Sequence, residues 1–216
     1  MNYKIKREGP LLLILIIPFI VGAVLYPHLP EQVPIHWNVY GEADGYGSKL
    51  FGTFFLPLLN VGMYILFIVL PKIDPRRDNY LNFSNAYLII RYALHLFFVL
   101  IFALTIAVSF GYPVQIGKWI TAAAAIMFII IGLSMRNVKH NYFVGFKYPW
   151  TLANEEVWIR THRLGAVLMA AGGLIALIGA VFTDGIVMFV ILMVGLLLPA
   201  IVTAVYSYVI YKRIVR

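Results

Sequence analysis

Apolar residues run almost unbroken for the length of a membrane-crossing helix in six places along this chain. A span needs ~20 mostly apolar residues at ~1.5 Å of rise each. Stretches near 10–26, 51–70, 87–110, 116–135, 164–182 and 186–211 meet that length. Hydrocarbon offers no partner to a backbone N–H or C=O, so an open sheet cannot cross it, and the runs are predicted as helices. Pro18, Pro57 and Pro199 each remove one backbone donor inside a span and are expected to kink it. Val21-Gly22-Ala23 would suit a signal peptidase, but the apolar run continues past it and reads as a span.

Two connecting segments carry a different pattern. In 27–50, Val33, Ile35, Trp37 and Val39 alternate with Gln32, Pro34, His36, Asn38 and Tyr40. That period of two predicts a short strand with one apolar face, and Pro34 confines it to an edge. Asp44-Gly45 reads as a turn, with Gly41 and Gly47 free to take positive φ. The expectation is a small hairpin-like cap on the mouth of the bundle. In 136–163, Gly145 and Pro149 break the first half, and Thr151 or Asn154 can cap a helix. Glu155 and Glu156 then lie in its first turn, where the helix dipole favours negative charge. Glu156 with Arg160, and Trp158 with His162, share faces at i, i+4. This predicts an amphipathic helix at the membrane surface, feeding the fifth span. Gly172, Ala176 and Ala180, four apart, allow a close helix approach inside the bundle.

Composition agrees. Of 216 residues, 62% are apolar and 12% charged, against ~45–50% and ~25% in soluble domains. A disordered chain, a nucleic-acid-binding arm and a soluble domain are excluded, and no direct nucleic-acid partner is expected. The fold class is an all-α integral membrane protein, a bundle of six transmembrane helices with a β-hairpin-like cap and a surface helix. With no cysteine, thiolate metal sites and disulfides are ruled out.

Charge sets the orientation. Of 17 basic residues, 14 fall on one side of the predicted bundle, and only Lys49 and Lys118 on the other. Arg91, near the start of the third span, can snorkel toward the majority side. The positive-inside rule then puts both termini in the cytoplasm, with segment 27–50 outside.

Candidate chemistry is sparse. His36, Asp44 and His28 could hold a metal, but their spacing fits no known site, and hydrogen bonds that lock the cap are the better reading. No metal and no cofactor is expected. Trp150 and Trp158 suit interfacial anchoring, and Glu155, Glu156, Arg160, His162 and Arg163 suit a solvated face. Their density next to lipid also suits a docking surface or a small active site. For an enzyme, His162 with Glu155 and Glu156 would supply acid–base chemistry, but no nucleophile with an adjacent base stands out. For a transporter, the spans offer Asn60, His95, Thr105, Ser109, Thr121 and Thr203 but no acid. Arg91 and His95 share a helix face as a packing pair.

The run Asn141-Tyr-Phe-Val-Gly-Phe-Lys-Tyr-Pro-Trp-Thr-Leu-Ala-Asn-Glu-Glu-Val-Trp-Ile-Arg-Thr-His-Arg-Leu-Gly165 closely resembles the motif of the SdpI family. That motif reads Asn, then Gly-Ile-Arg-x-Pro-Trp-Thr-Leu, then Asn-x-x-Val-Trp and Thr-His-Arg. Lys147 stands where Arg is usual and Phe146 where Ile is usual. Charge is kept, but Lys lacks the bidentate fork. Leu29-Pro-Glu-Gln-Val-Pro-Ile-His-Trp-Asn38 and Gly45-Tyr-Gly-Ser-Lys49 resemble a domain of unknown function that often precedes it. The resemblance divides the chain into a two-helix unit, 1–75, and an SdpI-like four-helix unit, 76–216. It implies immunity to a secreted peptide toxin, with a receptor role in which the cytoplasmic surface holds a transcriptional repressor at the membrane. Toxin or ligand contact then falls to His36, Trp37, Asn38, Asp44 and Lys49. Cytoplasmic docking falls to Asn141, Gly145, Lys147, Pro149, Trp150, Thr151, Asn154, Glu155, Glu156, Trp158, Arg160, Thr161, His162 and Arg163.

Overall fold

The computed structural model describes residues 2–215, with side chains from Glu8 onward. The side chains of Lys4, Lys6 and Arg7, and Arg216, all part of the charge count, lie outside that description. Among the described residues, six helices are long and apolar enough to cross a membrane. They are α1 (Asn2–Leu25), α2 (Lys49–Ile73), α4 (Ser84–Ser109), α5 (Ile116–Met135), α7 (Glu155–Phe182) and α8 (Gly185–Ile214). Two short helices, α3 (Asn79–Asn82) and α6 (Pro149–Ala153), and a two-stranded hairpin, β1 (Gln32–Trp37) and β2 (Ala43–Ser48), complete the fold. The fold is the expected all-α membrane bundle. Leu, Ile, Val and Phe stay exposed along the spans, which is how a surface solvated by lipid should look.

Helix α7 packs between α5 and α8, while α1, α2 and α4 pack on one another. The small residues explain how closely α7 approaches its neighbours. A Cβ on Gly172 would collide with the Gly195 carbonyl of α8, and one on Gly132 of α5 would sit 2.6 Å from Met169 Cβ. The helix ends define two faces. The hairpin and the short links 110–115 and 183–184 lie at one. The links 74–83 and 136–154 and both ends of the chain lie at the other, called here the basic end.

The hairpin differs from its prediction. The turn is at Asn38–Glu42, not at Asp44-Gly45, which are in β2. Asn38 makes the turn: its Oδ1 accepts from Tyr40 N at 2.9 Å and Glu42 N at 3.1 Å, and Gly41 takes φ +80°. Gly47 is ordinary strand, since its φ is not positive. The predicted alternation also fails after Val33. The register slips between Pro34 and Trp37, and Ile35 is exposed. The tip crosses the mouth of the bundle, bringing Gly41 against Gly117 of α5 and Tyr40 against Gly185 of α8. Ser48 caps α2, so the hairpin and α2 are directly joined.

Two further expectations are corrected. Beyond the short α6, the expected surface helix is not a separate element but the first turns of α7. After α6, Asn154 Oδ1 accepts from Glu156 N at 2.9 Å and Val157 N at 3.1 Å, and α7 runs without a break into the membrane. The spans are also not free of acid. Glu8 lies at the start of the first, and its carboxylate takes both Arg91 Nη atoms at 2.8 Å. Arg91 is therefore buried and paired rather than snorkelling.

Candidate functional site at the basic end

The motif loop begins with an amide. Asn141 is fully buried, and its side chain makes the turn that backbone alone would leave open. Its Oδ1 accepts from Phe143 N at 2.9 Å and Val144 N at 2.7 Å, and its Nδ2 donates to Lys139 O at 2.8 Å and Val144 O at 2.9 Å. Four of the amide's hydrogen bonds stay inside the loop, and Tyr80 OH adds a longer one to Oδ1 at 3.4 Å from outside it.

His162 holds the next turn. Phe146 N donates to its Nε2 at 3.0 Å, and its Nδ1 lies 2.8 Å from Trp158 O. A backbone N–H can only donate and a carbonyl can only accept, so Nδ1 carries the proton and the ring is neutral. Gly145 has φ +121°, and a Cβ there would collide with His162 Nε2. Only glycine meets both demands. Trp158 lies between two imidazoles, stacked on His162 at 3.9 Å and on His140 at 4.9 Å between ring centroids. Its indole donates to Val138 O at 3.0 Å.

A second clamp comes from the end of α2. Asp74, 2% exposed, accepts from Tyr80 OH and Tyr142 N, both at 3.0 Å, and from Arg76 N at 2.7 Å. Arg76 donates to His140 Nδ1, and Asn79 Nδ2 donates to His140 O at 2.7 Å. Burial first, then the Arg76 charge, lowers the His140 pKa. Burial and the bond to Asp74 raise that of Tyr80.

The third clamp is on α8. Thr151 Oγ1 accepts from Tyr148 N at 2.9 Å and lies within donating distance of Phe146 O. Tyr148 OH donates to Ala200 O at 2.7 Å, and Trp150 Nε1 donates to Ser207 Oγ. The loop is thus fastened to α2, α7 and α8 at once.

These clamps divide the predicted residues. Asn141, Thr151, Trp158, Thr161 and His162 are buried, while Gly145, Trp150 and Asn154 are half-buried. Lys147, Pro149, Glu155, Glu156, Arg160 and Arg163 remain at the surface. Glu156 and Arg160 form the expected i, i+4 pair. Lys147 Nζ donates to Phe143 O at 2.8 Å. Trp158 and His162 belong to the interior, not to an interface anchor or a solvated face. His162 also has no ring nitrogen free to take a substrate proton.

At the hairpin end, His36 Nδ1 meets Asp44 Oδ1 across the strands at 2.5 Å, both exposed. Trp37 lines an apolar cavity of about 310 Å³ with Ile35, Phe51, Phe55, Ile101 and Thr105. Asn38 and Lys49 are half-buried. Asn38 is committed to the turn, and Lys49 lies over the Tyr26 ring and 3.7 Å from Glu31. Among the described residues no group of three or more His, Asp or Glu side chains converges as a metal site.

Sequence reasoning missed Asp74, Arg76 and Tyr80, which hold the motif from 61 or more residues away. The signal available was a pair of acids, Asp74 and Asp78, in the short basic link after α2. It also missed that Glu8, not solvent, answers Arg91.

Comparison with known proteins agrees with this architecture. Residues 137–207 match the model of the SdpI/YfhL protein family. Residues 13–61 match a domain of unknown function (DUF1648). The chain is 31% identical to the immunity protein SdpI of Bacillus subtilis (strain 168) over 212 residues, covering 97% of this chain and 98% of that one. It is also 49% identical over 43 residues to the uncharacterized membrane protein YbgB of the same organism, covering 20% of this chain and 47% of that one. No solved structure matches. Helices, motif and end-to-end similarity agree, and the chain belongs to the SdpI family of multi-pass membrane proteins.

Proposed function

We propose that this protein confers immunity to a secreted peptide toxin that attacks the bacterial membrane, and that its cytoplasmic end reports toxin to a transcriptional repressor. Similarity over nearly the whole length of an immunity protein carries this reading. Both termini and the motif loop face the cytoplasm in this reading, which the excess of basic side chains at that end supports. The hairpin faces outward and meets the toxin. His36 and Asp44 offer it a polar edge, and the cavity beside Trp37 offers an apolar side chain a place. In the cytoplasm, Lys147, Glu155, Glu156, Arg160 and Arg163 are the side chains a protein partner can touch. The buried motif residues hold them in place. The hairpin ends at the Ser48 cap of α2, and α2 ends at Asp74, which grips the motif loop. That helix is one direct link between the faces, and toxin binding must favour one of two bundle states for a signal to pass.

The test is complementation in Bacillus subtilis cells lacking their own SdpI. Survival restored by this chain, with empty vector failing, is the expected result. Loss of survival with the protein confirmed in the membrane would overturn the immunity reading.

A further inference from the structure

A polar cavity of about 520 Å³ opens at the basic end, between the start of α4 and the end of α5. Its volume is within the usual range of ligand sites, ~300–1,000 Å³. Three cations from three segments line it: Arg136 at the end of α5, Lys139 in the motif loop and Arg163 on α7. Asn82, Asn137 and Ser84 add hydrogen-bonding groups, and no carboxylate lines it. Among the described residues none of the three cations makes an ion pair. Their neighbours differ: Arg160 is paired with Glu156, Arg76 bonds His140 and Lys147 bonds a carbonyl. Like charges around one cavity repel unless an anion stands between them.

Position narrows the choice of anion. The cavity sits where α4 starts and α5 ends, at the level of lipid headgroups. Leu81 is on its rim and 79% exposed, an apolar side chain facing outward beside the cations. Cations and amides around a phosphate, with an apolar rim facing acyl chains, are how basic pockets between membrane helices hold anionic lipids.

We propose that this cavity binds the phosphate of an anionic phospholipid headgroup, with Arg136, Lys139 and Arg163 as its cationic contacts. The site is separate from the hairpin and does not depend on the immunity reading.

The test uses the full chain purified in detergent, with lipid retention read by native mass spectrometry. Short-chain phosphatidylglycerol, phosphatidylcholine and inorganic phosphate are each added to the wild type, to R136Q/K139Q/R163Q and to K212Q/R213Q. The last removes two charges elsewhere at the same end. The wild type and K212Q/R213Q should retain phosphatidylglycerol over phosphatidylcholine. The cavity variant should retain about a hundredfold less, the scale expected when three basic contacts to lipid are removed together. An unchanged melting temperature without lipid keeps a folding defect apart from a binding defect. Equal retention by all three proteins would overturn the proposal. Competition by inorganic phosphate as strong as by phosphatidylglycerol would overturn the lipid source and leave a soluble phosphate site. Unchanged lipid retention with lost repressor recruitment in the cavity variant would assign the patch to protein docking instead.

Discussion

His162 and Gly145 form one device: the glycine leaves the space and the imidazole fills it with two hydrogen bonds. Gly145→Ala would force both a strained φ and a displaced ring. His162→Ala would leave Phe146 N and Trp158 O short of a partner, at about 1–3 kcal/mol. Both are expected to lower the melting temperature of purified protein. Gly62→Ala, with nothing within 4 Å of its Cβ, should not. Equal melting of all three would contradict the latch. His140 adds a pH dependence. Its folded pKa lies below the usual 6.5, so the unfolded chain takes up a proton that the folded chain resists. Its contribution to stability is complete above about pH 6.5 and is lost as pH falls below that. His140→Gln should flatten the fall in melting temperature between about pH 7 and about pH 5, and an unchanged slope would contradict it. The sequence showed that Trp158 and His162 share a face. It did not show which way the face points, because burial is set by α5 and by Asp74, and neither is near in sequence.

At the scale of elements, α1 is tied to the bundle by one intramembrane pair. Arg91 is buried against Glu8, and Tyr64 OH donates to the same carboxylate at 3.1 Å. Removing one partner leaves the other charge facing a low dielectric. Arg91→Gln should cost about 3 kcal/mol, held to the low end because Glu8 is a third exposed. Glu8→Gln with Arg91→Gln should be more stable than Arg91→Gln alone, and strictly additive losses in thermal unfolding would contradict the pairing. Arg91→Lys should not restore the wild type, since it lacks the second donor of the fork. The six helices were legible because apolar runs of that length have one solution in lipid. The hairpin was half legible. Its strands followed from alternation, but its turn was set by the Asn38 side chain bonding its own backbone, a signal that Asp44-Gly45 outweighed on paper. The start of α7 at Glu155 followed from the Asn154 cap, while its continuity into the membrane did not, because charged first turns read as surface.

Over the whole molecule, the chain presents two faces, and α2 runs from the hairpin at one to the Asp74 clamp at the other. The hairpin end carries an exposed polar pair and an apolar cavity. The basic end carries a fastened loop whose outer side chains are free to be read. The most direct measurement follows survival and repressor-controlled transcription together in toxin-exposed cells. It compares His36→Ala/Asp44→Ala with Glu155→Gln/Glu156→Gln/Arg160→Gln, each at membrane levels matched to the wild type. The account predicts that the hairpin variant loses both protection and induction, while the basic-end variant keeps protection and loses induction. Both variants behaving as wild type, or the basic-end variant alone losing protection, would contradict it.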